Sequence, residues 1–525
     1  MSAADRHAIR PQDRVVHPRD WVGFIAMVVG MFMAILDIQI VASSLAQIQA
    51  GISASADEVS WVQTAYLIAE VVMIPLSGWM ARVFSTRWLF MTSCITFTAA
   101  SIACAFAWNI ESMIAFRAVQ GFLGGAMIPT VFATSFLLFP PRMSAGVSVL
   151  IGLVATMAPT LGPTLGGWLT ESLSWHWLFL INVVPGLIVA TLVGIFVHVD
   201  RPKLELLKGF DLPGVALVAA FLGSLQYILE EGPGDDWFDE PKIVLMATIC
   251  LVAGMAFLWR ELTTEHPVVD VKAFRDRNFT VGCLYSFIIG IGLYGSVYVI
   301  PLYLGRVRGY SSLEIGLTMM VTGMFQFLSA PLAGALAKKL DLRLMLGLGL
   351  TLFGAGLWLN HYLTSEWGYW EMFLPQAVRG LALMFCFVPI NAVALGHLAP
   401  AEVQNASGLY NLMRNLGGAI GLAAITTFLR ERTDLHMARL ADHLTQGNLK
   451  AMAMLSDLSA RMSTLISGDP DQAALKSLYN ITRKQATTMA FSDILLCMSL
   501  VFLAGLLLMP LVHRVGHPSA SADAH

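Results

Sequence analysis

The chain has 525 residues, 56% of them hydrophobic and only 13% charged, with a formal net charge of −3. A soluble protein carries about 25% charged residues, so this composition cannot cover a water-facing surface and makes lipid the main solvent. No basic stripe accompanies the small negative charge, which argues against nucleic acid as a partner.

Residues 1–20 read as a polar, arginine-bearing tail. No small-residue cleavage site follows Trp21, so the first apolar run is expected to be a retained span rather than a removed signal peptide. About fourteen apolar runs of spanning length follow, at 22–43, 60–81, 88–108, 112–138, 144–169, 177–198, 211–229, 242–259, 279–304, 313–336, 343–363, 371–396, 407–429 and 489–512. The first contains Asp37 and Gln39, the second Glu70, and the fourth Arg117 and Gln120. Charge inside a bilayer is expensive, roughly 2.5–3.5 kcal/mol on insertion scales, and marks functional positions. The fifth run is broken by Pro159, Gly162, Pro163, Gly166 and Gly167. Such breaks are tolerated in lipid only where neighbouring helices or water re-satisfy the backbone. Arg379, Asn411 and Arg414 are the polar residues singled out in the twelfth and thirteenth runs.

Counted from their ends, Asp37 lies about 22 Å into a span and Arg117 about 8 Å into one running the other way, so both fall at matching depth and can pair. A carboxyl whose charge depends on a movable cation can load and release protons. The alternative is a static buried pair that fixes helix packing. Lys and Arg are concentrated in one set of loops, with about 18 on the side of the termini and about 3 in the short loops opposite. Both termini are therefore expected in the cytoplasm, with the acidic loop 230–240 and the segment 430–485 outside.

Three stretches recur in order. Pro75-Leu-Ser-Gly-Trp matches Pro331-Leu-Ala-Gly-Ala, Ala118-Val-Gln-Gly matches Ala377-Val-Arg-Gly, and Leu161-Gly-Pro-Thr-Leu-Gly matches Leu416-Gly-Gly-Ala-Ile-Gly. The offsets are roughly 255–259 residues. They pair runs 2, 4 and 5 with runs 10, 12 and 13 and imply parallel repeats around a midplane cavity. Runs 7 and 8 are left over as an inserted hairpin. The expected architecture is an all-α integral membrane protein. Its parts are an N-terminal tail (1–20), a six-helix bundle (21–200), an inserted hairpin (201–262), a second six-helix bundle (263–512, including the outer segment 430–485) and a C-terminal tail (513–525).

Arg117-Ala-Val-Gln-Gly-Phe-Leu-Gly-Gly-Ala-Met-Ile-Pro129 resembles the fourth-span motif of the major facilitator superfamily, and Gly162-Pro-Thr-Leu-Gly-Gly167 the fifth-span motif of its drug/proton antiporters. Leu36-Asp-Ile-Gln-Ile-Val-Ala-Ser-Ser-Leu45 is similar to the first-span motif of the fourteen-span members. Residues 175–185, 223–226, 236–238, 267–279 and 407–421 resemble the EmrB-type multidrug-efflux permeases among them. The resemblance implies a major facilitator fold and a proton-coupled antiporter exporting hydrophobic or amphipathic compounds from the bacterial inner membrane. Asp37, Arg117 and Glu70 would couple protons, and Pro159, Gly162, Pro163, Gly166 and Gly167 would gate. Gln39, Gln120, Arg379, Asn411 and Arg414 would line the substrate cavity. It further implies a periplasmic membrane-fusion adaptor and an outer-membrane channel as partners, and no cofactor beyond the proton gradient.

The loop motif after the second run is altered. Gly78 is followed by Arg82, where the family usually has an acid, and Ser85 replaces a usual glycine before Arg87. In the first run Gln39 and Ala42 stand where threonine and asparagine are usual. Alternative readings are export of one amphipathic metabolite or fatty acid, or a proton symporter for a nutrient. No phosphate-binding loop, nucleophile elbow or paired metal-ligand spacing points to an enzyme or a metal site. The 6 cysteines fall in apolar runs without CxxC spacing and read as small packing residues.

Overall fold

A computed structural model describes residues 16–265, 267–445, 447–465 and 469–513. The tails 1–15 and 514–525 lie outside the described residues. All regular structure among the described residues is helical, and 14 helices are long and apolar enough to cross a membrane. In lipid each helix satisfies its own backbone, which is why an apolar chain of this kind resolves into spanning helices.

The long helices are α1 (Pro18–Ala42), α2 (Trp61–Phe84), α3 (Thr86–Ala105), α4 (Ile110–Leu138), α5 (Pro141–Ser172), α6 (Val183–Phe196), α7 (Leu212–Glu231), α8 (Pro241–Thr263), α9 (Arg277–Tyr303), α10 (Ser312–Leu336), α11 (Leu342–Asn360), α12 (Tyr369–Leu395), α13 (Pro400–Ala441), α14 (Leu449–Leu465) and α15 (Pro470–Gly505). All but α14 belong to the spans. The end of the molecule that carries both described chain ends is called the terminal face, and the other the far face. At 42 and 36 residues, α13 and α15 are about 63 and 54 Å long, far beyond a hydrocarbon core of about 30 Å. Their overhang and α14 therefore stand clear of the far face.

The sequence repeat is visible as repeated contacts. Gly121 of α4 lies so close to α2 that an added Cβ would come within 2.3 Å of the Tyr66 carbonyl oxygen, and Gly380 of α12 meets the Thr322 carbonyl oxygen of α10 at the same 2.3 Å. Between the halves, α2 packs on α13 and α5 on α10. Helix α7 lies over α2 and reaches α13, while α8 packs chiefly on α7. Thr64 Oγ1 donates to Glu231 Oε1 at 2.9 Å, and Trp237 Nε1 donates to Thr427 Oγ1 at 2.9 Å. The α7–α8 pair thus covers the seam between α2 and α13 from outside, with Leu245 on α8 exposed.

Candidate functional site

Five helices of the first half converge on one carboxylate. Asp37 of α1 is 0% exposed and forms an ion pair with Arg117 of α4, Nη1 to Oδ2 at 2.5 Å. Arg117 Nη1 also donates to Gln120 Oε1 (2.8 Å), and Nε donates to the Val62 carbonyl of α2 (3.0 Å). The guanidinium lies 4.2 Å from the centre of the Tyr66 ring, a favourable cation–π contact. The other carboxylate oxygen accepts from Gln120 Nε2 (3.0 Å) and from Asn182 Nδ2 at the start of α6 (2.8 Å). Both amides also reach Ser101 Oγ of α3. Arg117 Nη2 alone has no partner. The depth match read from the sequence is thus a direct pair.

Glu70 lies apart from these hydrogen bonds but within electrostatic reach of Arg117 and Asp37. It is buried on α2 at the seam, where its side chain hydrogen-bonds Asn415 of α13. Asn415 Oδ1 accepts from Tyr294 Oη of α9 at 3.4 Å. Arg414 lies beside it with its guanidinium 5.1 Å from the Phe132 ring of α4 and 5.7 Å from Phe387 of α12. Its Nη2 donates to Asn411 Oδ1. Glu70, Arg414 and Asn411 therefore meet where the two halves touch.

Two expected cavity residues are elsewhere. Gln120 is drawn into the Asp37 network inside the first half, where its amide bonds Arg117, Asp37 and Ser101. Arg379 is buried inside the second half against Gly356 of α11, because α11 and α12 approach too closely there to leave it facing the seam. Gln39 is half-buried, its Cβ under Gly162.

The broken helix α5 is continuous through Pro159 and Pro163. Gly162 lies against Gln39 and Gly166 against Ile40 and Ser43, the residues just beyond Asp37 on α1. On its other side α5 meets α10, where Gln326 Nε2 donates to Thr156 Oγ1. The proline- and glycine-rich stretch thus joins the Asp37 helix to the opposite half.

At the terminal face, the acid that the loop motif lacks is supplied from another element. Asp200, just past α6, accepts from Thr86 N (2.9 Å to Oδ1), Thr86 Oγ1 (2.8 Å) and, across the seam, Gln404 Nε2 of α13 (2.9 Å). Burial pushes its carboxyl above the usual carboxylate range, and the bonds from Thr86 and Gln404 oppose that shift. Gly78 packs on the backbone of Gln404 and Asn405. Arg82 faces Asp270 electrostatically, and Arg87 Nη1 contacts His198 Nε2 at 2.7 Å. Ser85 holds φ 73° and ψ 152°, a conformation suited to the glycine it replaces.

Asn182, Ser101, Asn415, Tyr294 and Asp200 were not singled out from the sequence. Asn182 carried a signal, a lone amide opening an apolar span; Asp200, in a polar loop, carried none.

Fourteen apolar helices in two related halves, with an ion-pair network sealed inside one of them, define a multi-pass membrane protein of the transporter class. The chain belongs to the major facilitator superfamily, whose sequence profile matches residues 27–422. It is 42% identical over 481 residues to the colistin resistance protein EmrB of Acinetobacter baumannii, covering 92% of this chain and 94% of that protein. It is 32% identical over 443 residues to the multidrug export protein EmrB of Escherichia coli, covering 83% and 85%. The fatty acid resistance protein FarB of Neisseria gonorrhoeae is 28% identical over 493 residues, covering 94% and 95%. The fold is shared with the human organic anion transporter MFSD10 (TM-score 0.55, 13% identity, 93% of this chain and 100% of that one). It is also shared with the proton:xylose symporter XylE (TM-score 0.56, 11% identity, 95% and 97%).

Proposed function

We propose that the protein is a proton-coupled antiporter that exports hydrophobic or amphipathic compounds across the bacterial inner membrane, with no cofactor beyond the proton gradient. The observation that carries this reading is the Asp37–Arg117 pair, fully buried and shared among α1, α2, α3, α4 and α6. Protonating Asp37 removes one charge of the pair and so loosens α1 from α4. Helix α1 in turn packs through Gly162 and Gly166 on α5, which lies against the second half. Proton binding at Asp37 and a change in the seam thereby act on one equilibrium, as coupling requires. Glu70, Asn411 and Arg414 at the seam are the polar contacts offered to a substrate. The kinship with EmrB proteins supports multidrug export. The concentration of basic residues on the terminal face supports a cytoplasmic placement of that face, so that Asp200 and Gln404 latch the cytoplasmic side.

The test is drug-induced proton release from purified, reconstituted protein. Asp37→Asn keeps the size and one hydrogen-bonding oxygen but cannot titrate. It is expected to bind drug and to release no proton. Proton release equal to wild type would remove Asp37 as the carrier and leave Glu70 as the next carboxyl to test. A second reading, export of fatty acids, is favoured by the kinship with FarB and by Arg414 at the seam. Competition of decanoate against a cationic dye, with and without Arg414→Gln, separates the two.

The overhang of α13 and α15, with α14, supports docking of a periplasmic membrane-fusion adaptor that leads to an outer-membrane channel. These helices expose Leu449 (85%), Leu465 (74%) and Leu475 (55%), apolar surface that lies beyond the reach of lipid.

A further inference from the structure

The first half holds a buried cation with its acid. The second half holds a buried cation away from the seam, Arg379, with no acid paired to it among the described residues. The repeat aligns Gln120 with Arg379, and the matching Gly121–Tyr66 and Gly380–Thr322 contacts place α4 and α12 equivalently. Arg379 is 1% exposed, and its Nε and Nη1 have no hydrogen-bond partner among the described residues. Its Cγ lies against Gly356 of α11, and its guanidinium carbon is 5.9 Å from the centre of the Phe353 ring. One turn beyond Gly356 on the same face stands Asn360, fully buried, with neither Nδ2 nor Oδ1 partnered among the described residues.

Among the described residues no acid forms an ion pair with Arg379, and the acids nearest in the fold are absent or engaged elsewhere. Helices α9 and α11 contain no Asp or Glu. Glu314 and Glu371 cap the first turns of α10 and α12 at the far face. Asp493 of α15 is held by Arg432 and His436. A guanidinium cannot shed its proton to escape the problem, and an unpaired buried charge is destabilising by several kcal/mol. The charge therefore calls for an anion from solution.

We propose that Arg379 and Asn360 form a binding site for one small monovalent inorganic anion of the chloride class, inside the second half between α11 and α12. Arg379 supplies the charge and two free N–H groups, and the Asn360 amide a further donor. Tight packing at Gly356, where an added Cβ would come within 2.7 Å of Arg379 Cγ, favours a compact ion over a carboxylate that trails an acyl chain. The bound anion does for Arg379 what Asp37 does for Arg117: it ties two helices of one bundle together. This site does not depend on the efflux reading.

The experiment uses purified full-length protein in chloride-free gluconate buffer and follows two readouts, binding of ³⁶Cl⁻ by equilibrium dialysis and the thermal midpoint. Wild type is expected to bind one chloride per chain and to gain a saturable rise in midpoint on the order of 3 °C. Arg379→Gln, which installs the residue that position 120 already has, should lose both responses and melt in gluconate no lower than wild type. Asn360→Ala keeps the charge and loses one donor, so its chloride affinity should fall about tenfold. Should Arg379→Gln fail to fold, the Asn360→Ala affinity decides. Failure of wild type to bind chloride, chloride binding by Arg379→Gln like that of wild type, or unchanged affinity in Asn360→Ala would each overturn the proposal. A midpoint raised by decanoate but not by chloride would overturn the inorganic assignment.

Discussion

Arg117 shows how much of the site's chemistry depends on side-chain shape. Its Nη1 serves Asp37 and Gln120 while Nε serves the Val62 carbonyl, and its flat face rests on Tyr66. A lysine keeps the charge but offers a single ammonium that cannot hold this planar arrangement. Arg117→Lys is therefore expected to weaken proton coupling less than Arg117→Ala. The alanine variant strands a buried carboxylate, at a stability loss of about 3–5 kcal/mol. Proton-to-drug flux ratios and thermal midpoints in detergent check the two halves of this statement. Ser85 is a second residue-scale case. Its φ of 73° with ψ of 152° lies in a region open to glycine and strained for other residues, by about 1–3 kcal/mol. Its hydroxyl accepts weakly from Trp88 N (3.5 Å), which recovers little of that. Ser85→Gly should therefore raise stability by about 1 kcal/mol, less than the full strain because glycine also frees the unfolded chain. An unchanged or lowered midpoint would show that the Ser85 hydroxyl matters more than the backbone.

Among the elements, the far-face helices are the clearest example of structure in excess of what a membrane span needs. Helix α14 has no buried residue and packs on α15 with Leu455, Leu458 and Met462 half-covered, while Leu449 and Leu465 stay exposed. Removing residues 442–469 should abolish drug resistance in whole cells if this surface docks an adaptor, yet leave transport intact in inner-membrane vesicles. Equal loss in both assays would mean that α14 supports the transporter's own fold.

Across the whole molecule, the two halves are tied at the terminal face through Asp200, Thr86 and Gln404. Asp200 accepts from Thr86 N and Oγ1 and, across the seam, from Gln404 Nε2, which also reaches Thr86 Oγ1 at 3.3 Å. Within the second half, Asp270 holds Asn405, its N–H donating to Oδ1 (3.0 Å) and its carbonyl accepting from Nδ2 (3.0 Å), and the Asn405 backbone packs on Gly78 across the seam. In Asp200→Ala both acceptor oxygens are removed, so the bond from Gln404 to the charged group across the seam is lost. At about 1.5–3 kcal/mol for a bond to a charged group, that is enough to shift a two-state equilibrium more than tenfold. Spin labels at position 142, on the terminal end of α5, and position 339, just past α10, should report longer distances in Asp200→Ala and Gln404→Ala than in wild type. An unchanged distance distribution would show that the halves are held by packing alone.

The number of spans, their approximate limits, the long-range repeat and the pairing of Asp37 with Arg117 were all legible before any coordinates. Each rests on a local or additive quantity: hydropathy over a window, residues per turn, or the high energy of a lone charge in lipid. The sequence by itself therefore determined a fourteen-helix transporter with a buried ion pair. What only the tertiary structure decided is which face of each helix meets which neighbour. Gln120 joined the Asp37 network rather than a cavity, and Arg379 turned into the second half. Asp200 came from beyond α6 to stand in for the acid missing after Gly78. These outcomes depend on side chains from three or more helices meeting at one point, and in an apolar helix the hydropathy pattern is too uniform to say which face is turned inward.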